Sequence, residues 1–297
     1  MAEIKVAADQ VFPILKQNIL VDGFHLVIDL EKSHVCTIVS ALDGREYLDC
    51  YGYFATLPVG HNHPKMADRG FRRSLMTVAL TNPANSDIYS RQFAAFVKTF
   101  RELAVPQEFA HLFFIAGGAV AVENAMKAAF DWKVQKNRAK GVQGGGDKIL
   151  HFRDAFHGRS GYTLSVTNTD PTKTRDFPKF DWPRISNPFI EPGLTDREMT
   201  AKEDRACAEI EAAFARDPHG IAGILIEPIQ CEGGDRHFRP RFFAKLREYA
   251  NRYETLLLFD EVQTGMGVTG RMWAYEHTGI VPDIVAFGKK TQVCGIM

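Results

Sequence analysis

Ile221-Ala222-Gly223-Ile224-Leu225-Ile226 and Thr255-Leu256-Leu257-Leu258-Phe259, separated by a helical segment over 240–253, decide the fold. Both runs are short and apolar, with no polar alternation. That is the pattern of strands buried on both faces of a parallel sheet covered by helices. The alternation continues outward from this unit. Short strands are predicted at 111–115, 148–152 and 284–287, and a helix at 122–132. A second helix opens at Thr195, where Glu198 three residues on completes a capping-box pattern, and stops before Asp217-Pro218. The chain is therefore expected to be an α/β protein with a mainly parallel sheet flanked by helices. Nearer the N-terminus the pattern differs: Asp43-Gly44 lies between β-like runs at 35–39 and 47–51, which predicts a hairpin in a small β segment.

Ligands of parallel sheets bind beyond the carboxyl ends of the strands. Ile115 leads into Ala116-Gly117-Gly118-Ala119 and a helix, and Phe152 leads into Asp154-Ala155-Phe156-His157-Gly158-Arg159. Ile226 is followed by Glu227-Pro228-Ile229-Gln230, Phe259 by Asp260-Glu261-Val262-Gln263, and Phe287 by Gly288-Lys289-Lys290. Singly, these are a tight turn, a core aromatic, a helix cap and a solvated lysine pair. Jointly they make chemical sense. A helix N-terminus behind small residues offers unpaired N–H groups to a phosphate, and an aromatic ring stacks on a flat heterocycle. A lysine forms an imine with an aldehyde, and a carboxylate such as Asp260 pairs with a pyridine nitrogen. At ~4 Å and an effective dielectric near 20 that last pairing is worth roughly 4 kcal/mol, or about 3 pKa units.

Composition closes other doors. The 297 residues are 45% hydrophobic and 24% charged, with 36 basic and 36 acidic side chains. A nucleic-acid partner calls for a basic excess or stripe, and the sequence shows neither. No apolar run approaches the roughly 20 residues that span a bilayer, so neither nucleic acid nor membrane is an expected partner. Cys36, Cys50, Cys207, Cys231 and Cys294 are scattered and odd in number, which fits a reducing compartment better than a disulfide framework. Met1 to Val6 lack a basic stretch followed by an apolar run, and the expected location is cytoplasmic. P-loop, dinucleotide, zinc-protease and serine-hydrolase motifs are absent. His61 and His63 have no companion ligands at metal spacing and are expected to serve a loop.

These residues resemble the class III (ornithine/acetylornithine-type) aminotransferases of pyridoxal-phosphate (PLP) fold type I, over nearly the whole chain. The resemblance is carried by Asp43-Gly44-Arg45-Glu46-Tyr47-Leu48-Asp49, Gly60-His61-Asn62-His63-Pro64, the glycine loop with Glu123 to Lys127, and Phe156-His157-Gly158-Arg159. Most specific are Glu227-Pro228-Ile229-Gln230-Cys231-Glu232-Gly233-Gly234, Phe259-Asp260-Glu261-Val262-Gln263-Thr264-Gly265 and Asp283-Ile284-Val285-Ala286-Phe287-Gly288-Lys289. Within the family, Phe177-Pro178-Lys179-Phe180-Asp181-Trp182-Pro183-Arg184 and Lys289-Lys290-Thr291-Gln292-Val293-Cys294-Gly295 are similar to the branch acting on lysine.

The resemblance implies a homodimer that moves the ε-amino group of L-lysine to 2-oxoglutarate with pyridoxal 5′-phosphate as cofactor. A transaminase for ornithine or a related diamine, and a catalytically silent homologue, are the alternatives. It implies that Lys289 carries the Schiff base, with Lys290 the rival, and that Asp260 holds the pyridine nitrogen. Gln263 would bond the phenolic oxygen, Phe156 would stack on the ring, and Gly117, Gly118 and Ala119 would cradle the phosphate. Arg159 would take a substrate carboxylate. Glu232 would mask a second arginine when lysine binds and release it for 2-oxoglutarate, while Glu227 would support the surroundings of Asp260. Two departures from the family pattern stand out. Gly117-Gly118-Ala119-Val120 lacks the usual hydroxyls, so phosphate binding would rest on backbone N–H groups, and Cys231 stands where glycine is usual. The implied layout is an N-terminal segment over 1–55, part of a small domain, and a large cofactor domain over 56–297. That large domain would be incomplete at its end, with a C-terminal small domain missing.

Overall fold

The computed structural model describes residues 5–81 and 88–297. Residues 1–4, part of the stretch searched for a leader, lie outside them. The chain divides into two compact units, 1–97 and 98–297.

In the first unit the expected hairpin forms from β1 (Thr37–Val39) and β2 (Glu46–Leu48), with Ile38 opposite Tyr47. Gly44 takes φ +73° in the connection, a conformation that Asp-Gly supplies without a Cβ penalty. The His61 ring lies 2.9 Å from Asp49 Oδ2, and His63 accepts from the Lys65 backbone N–H at the start of a 3-10 turn. Both histidines thus fasten loops.

The second unit is built on a seven-stranded sheet. Its strands are β3 (Phe113–Ile115), β4 (Lys148–Phe152), β5 (Arg184–Ile185) and β6 (Ile221–Ile226). After the small antiparallel pair β7 (Ile229–Gln230) and β8 (Arg236–His237) come β9 (Leu256–Asp260), β10 (Ile284–Phe287) and β11 (Cys294–Ile296). The order across the sheet is β3-β11-β10-β9-β6-β4-β5. Neighbours from β10 to β5 are parallel, and only β11 runs against its neighbours. This is the α/β, mainly parallel architecture that the strand pattern predicts.

All six residues of β6 are buried, as the unbroken apolar run requires. Helix Gly118–Ala139 presents Val122, Ala125, Met126 and Ala129 to a core that includes Ile149, Leu225, Leu258 and Ala286. Their spacing keeps one helical face inward. Helix Pro240–Arg252 packs Phe242 edge-on against Phe152 and Phe243, tilted, against Phe259. Successive strand residues point to opposite faces, so Leu258 and Phe259 place these two helices on opposite sides of the sheet. Helix Asp196–Arg216 begins with the predicted capping box, Thr195 N donating to Glu198 Oε2 at 2.8 Å and Glu198 N to Thr195 Oγ1 at 3.3 Å.

Strand β11 has no signal in the sequence. Gly295 is nonetheless required there, because a Cβ would come within 2.3 Å of the Phe113 carbonyl oxygen. Among the described residues no helix is long and apolar enough to cross a membrane.

Leu258→Ala should cost about 2–5 kcal/mol through a cavity between sheet and helix, and Thr195→Ala about 1 kcal/mol through one lost cap. Urea unfolding of both variants checks the size and the order.

Candidate active site

The strands β3, β4, β6, β9 and β10 point the same way, so the segments following them meet at one rim. They enclose a cavity of about 270 Å³ lined by Gly118, Ala119, Phe156, His157, Gly158, Glu227, Asp260, Val262, Gln263 and Lys289, among others. Its floor comes from close packing. Gly158 has φ +107°, and a Cβ on it would lie 2.4 Å from the Ala119 Cβ, so the loop after β4 rests directly on the first helical turn. Gly118 meets Val262 in the same way, at 2.9 Å. Gly117, at φ +99°, turns the chain into that helix, and no side chain caps its N-terminus. The first-turn N–H groups therefore remain available to an anion.

The acid side is tightly specified. Asp260 Oδ2 lies 2.8 Å from His157 Nδ1, with the imidazole fully buried, and Oδ1 accepts from the Val262 backbone N–H at 3.0 Å. Glu261 is turned the other way and accepts from the backbone N–H groups of Ala274 and Tyr275. Glu227 Oε1 accepts from the Phe156 N–H at 2.9 Å. Burial first, and then the nearby Asp260 charge, push the Glu227 carboxyl well above the ordinary range.

The two lysines separate in space. Lys289 lines the cavity and its Nζ donates to Gln263 Oε1 at 2.7 Å, whereas Lys290 Nζ donates to the Gln263 carbonyl oxygen at 2.6 Å and is not part of the lining. Burial lowers the pKa of Lys289 against the opposing pull of Asp260. It lowers that of Lys290 to about 8, helped by the charge of Lys289. Lys289 also holds φ +52°, a left-handed conformation that costs a non-glycine residue on the order of 1–3 kcal/mol and is concentrated at functional sites.

Gly117 turns the chain at the cavity edge, while Arg159 is exposed one residue beyond Gly158 and is not part of the lining. Glu232 forms an ion pair with Lys173, whose ammonium lies 5.9 Å from the Phe156 ring centre. Sequence reasoning singled out neither Lys173 nor His157. The position of His157 beside Phe156 was a usable signal for the histidine. For Lys173 there was none, because it lies in a separate 3-10 turn.

The residues that meet here fit PLP: a lysine of lowered pKa for its aldehyde, a held carboxylate for its ring nitrogen, an aromatic wall, and a helix N-terminus opened by Gly117 and Gly118, where a Cβ on Gly118 would meet Val262 at 2.9 Å. The fold and this site together form a pocket suited to an aldehyde cofactor held by a lysine. A family model described as Aminotransferase class-III matches residues 21–297, and the chain belongs to that PLP-dependent family.

The chain is 53% identical over 291 residues to the L-lysine-epsilon aminotransferase of Mycobacterium bovis, covering 97% of this chain and 65% of that protein. With the Amycolatopsis lactamdurans protein of the same name it shares 46% over 286 residues, 95% of this chain and 64% of the relative. A solved lysine aminotransferase from M. tuberculosis in the internal aldimine form superposes with a TM-score of 0.97 at 53% identity, over 98% of this chain and 68% of that one. The chain thus spans about two thirds of the length of these curated relatives.

Between pH 8 and 10.5 the folded protein has released the Lys290 proton while the unfolded chain still holds it, so this group makes stability rise with pH through that window. Lys290→Met should flatten that rise and increase stability near neutrality. Chemical denaturation across the window measures both effects.

Proposed function

We propose that this chain serves a transaminase moving the ε-amino group of L-lysine to 2-oxoglutarate, giving glutamate and an aminoadipate semialdehyde that cyclises to a piperideine carboxylate. The observation that carries the reaction class is the Lys289 amine, of lowered basicity, in one cavity with Asp260. The choice of lysine rests on the likeness to the L-lysine-epsilon aminotransferases. An ornithine-type transaminase is the alternative, and the more distant Toxoplasma gondii ornithine aminotransferase, at 22% identity and TM-score 0.73, shares the fold alone.

Bound PLP supplies an aldehyde for a lysine and a conjugated ring that accepts electron density from the substrate carbon. Lys289 would hold the cofactor. Its lowered pKa leaves more neutral amine near neutral pH, and the same nitrogen can then take and return a proton at the substrate carbon. Asp260 would keep the ring nitrogen protonated, and Gln263, already bonded to Lys289, would bond the phenolic oxygen. Phe156 would form one wall, and Gly117, Gly118 and Ala119 would present backbone N–H groups to the phosphate. Arg159, at the rim, can swing its two-pronged guanidinium toward a substrate carboxylate. Glu232, partly exposed and paired with Lys173, would adjust the same region between the two substrates. We place the protein in the cytoplasm as a homodimer.

Incubation with PLP, borohydride reduction and peptide mapping should tag the peptide containing Lys289. Lys289→Ala should abolish the tag and the activity, while Lys290→Ala keeps the tag; a tag that moves to Lys290 overturns the assignment. Product analysis with equal lysine and ornithine should show the piperideine carboxylate from lysine as the main product. Preferential turnover of ornithine favours the alternative.

A further inference from the structure

We propose that the Lys173–Glu232 ion pair recognises the α-amino acid head of the amino donor: the pair opens, Lys173 takes the carboxylate and Glu232 takes the ammonium. This role rests on the transaminase reading above and deepens it, adding Lys173 to the substrate site and giving a reason for an amino acid to be chosen over a plain amine or a plain acid.

The pair stands where such a head arrives. Phe156 lines the cavity, and the Lys173 ammonium lies 5.9 Å from its ring centre while bonded to Glu232 Oε1. Glu232 is near enough for its charge to act on both Lys289 and Glu227 inside the cavity. In L-lysine a four-carbon stem separates the reacting amine from the head. With that amine at Lys289, the head lies toward the rim.

Both charges are presented by anchored backbone. Lys173 ends a 3-10 turn whose cap, Asp170, accepts from the Thr172 N–H at 2.9 Å and the Thr172 hydroxyl at 2.8 Å. Glu232 sits in the turn between β7 and β8, where a Cβ on Gly233 would come within 2.2 Å of the Asp154 carbonyl oxygen. Arg236 ties the same turn to Asp154 through a second ion pair. The turn is thus fastened without Lys173, and the Lys173–Glu232 pair is free to serve another purpose.

The side chains are 35% and 27% exposed, so a ligand reaches both ends. A pair this exposed is worth little by itself and opens readily. A zwitterionic head inserted between the two makes a row of alternating charges in which every group keeps an opposite neighbour. A ligand with a carboxylate alone would strand Glu232, and one with an ammonium alone would strand Lys173. The arrangement selects for both charges together, which the exposed Arg159 guanidinium cannot do alone.

The test compares three donors of the PLP-loaded protein: L-lysine, 6-aminohexanoate, which lacks the α-ammonium, and cadaverine, which lacks the carboxylate. Lys173→Met should lower kcat/KM roughly tenfold for 6-aminohexanoate and raise it for cadaverine, whose free ammonium then meets an unpaired Glu232. Glu232→Gln should do the reverse, and L-lysine should lose in both. Calorimetric binding of L-norleucine, which carries the head without an ε-amine, should weaken roughly tenfold in each variant. Lys173→Gln replaces Lys173→Met should the latter melt early. Variants that move all three donors in the same direction, or that leave norleucine binding unchanged, overturn the proposal. A parent that binds norleucine yet transfers no amino group from any donor overturns the transaminase reading and leaves the head-group site standing; a parent that does neither overturns both.

Discussion

The register between β9 and β10 sets everything at the site. Val285 lies opposite Phe259 and Ala286 opposite Asp260, and the Glu261 N–H continues the ladder by donating to the Ala286 carbonyl at 2.8 Å. That pairing brings the last residue of one strand level with the strand that leads into Gly288-Lys289. A slip of one residue would turn Asp260 to the opposite face and drive Glu261 into the cavity. The cost of such a slip is high because both strands are buried and their apolar residues fit helices on each side. The chemistry of the rim is therefore guarded by the packing of the core.

Burial then acts on opposite charges in opposite directions. It raises the Glu227 carboxyl and lowers the Lys289 ammonium, so both groups move toward neutrality. The Cys231 thiol, in the same surroundings, is pushed up to about 12 and stays protonated. Beside these groups Asp260 is the carboxylate fixed by two donors, the His157 imidazole and the Val262 N–H. The strained backbone of Lys289 is held by elements that gain more from packing than the strain costs.

Much of this was legible in the sequence because the signals are local. The runs at 221–226 and 284–287 are strands with those bounds, and the Thr195–Glu198 box starts its helix where expected. The strand-end rule brought Gly118, Phe156, Asp260, Gln263 and Lys289 into one cavity. What escaped depends on distant partners. Strand β11 is three residues whose existence follows from β3 and β10 on either side of it. Which atom of Gln263 Lys289 and Lys290 each reach could not be read from the sequence, and the pairing of Glu232 with Lys173 joins segments that share no periodicity.

The place of β11 has a consequence for how the protein is made. Strand β3 is translated well before β11, its neighbour in the sheet among the described residues. Until then β3 presents open backbone groups and aromatic side chains to whatever is nearby. Vectorial folding can assemble the run from β4 through β10 as it appears, but closing that flank has to wait.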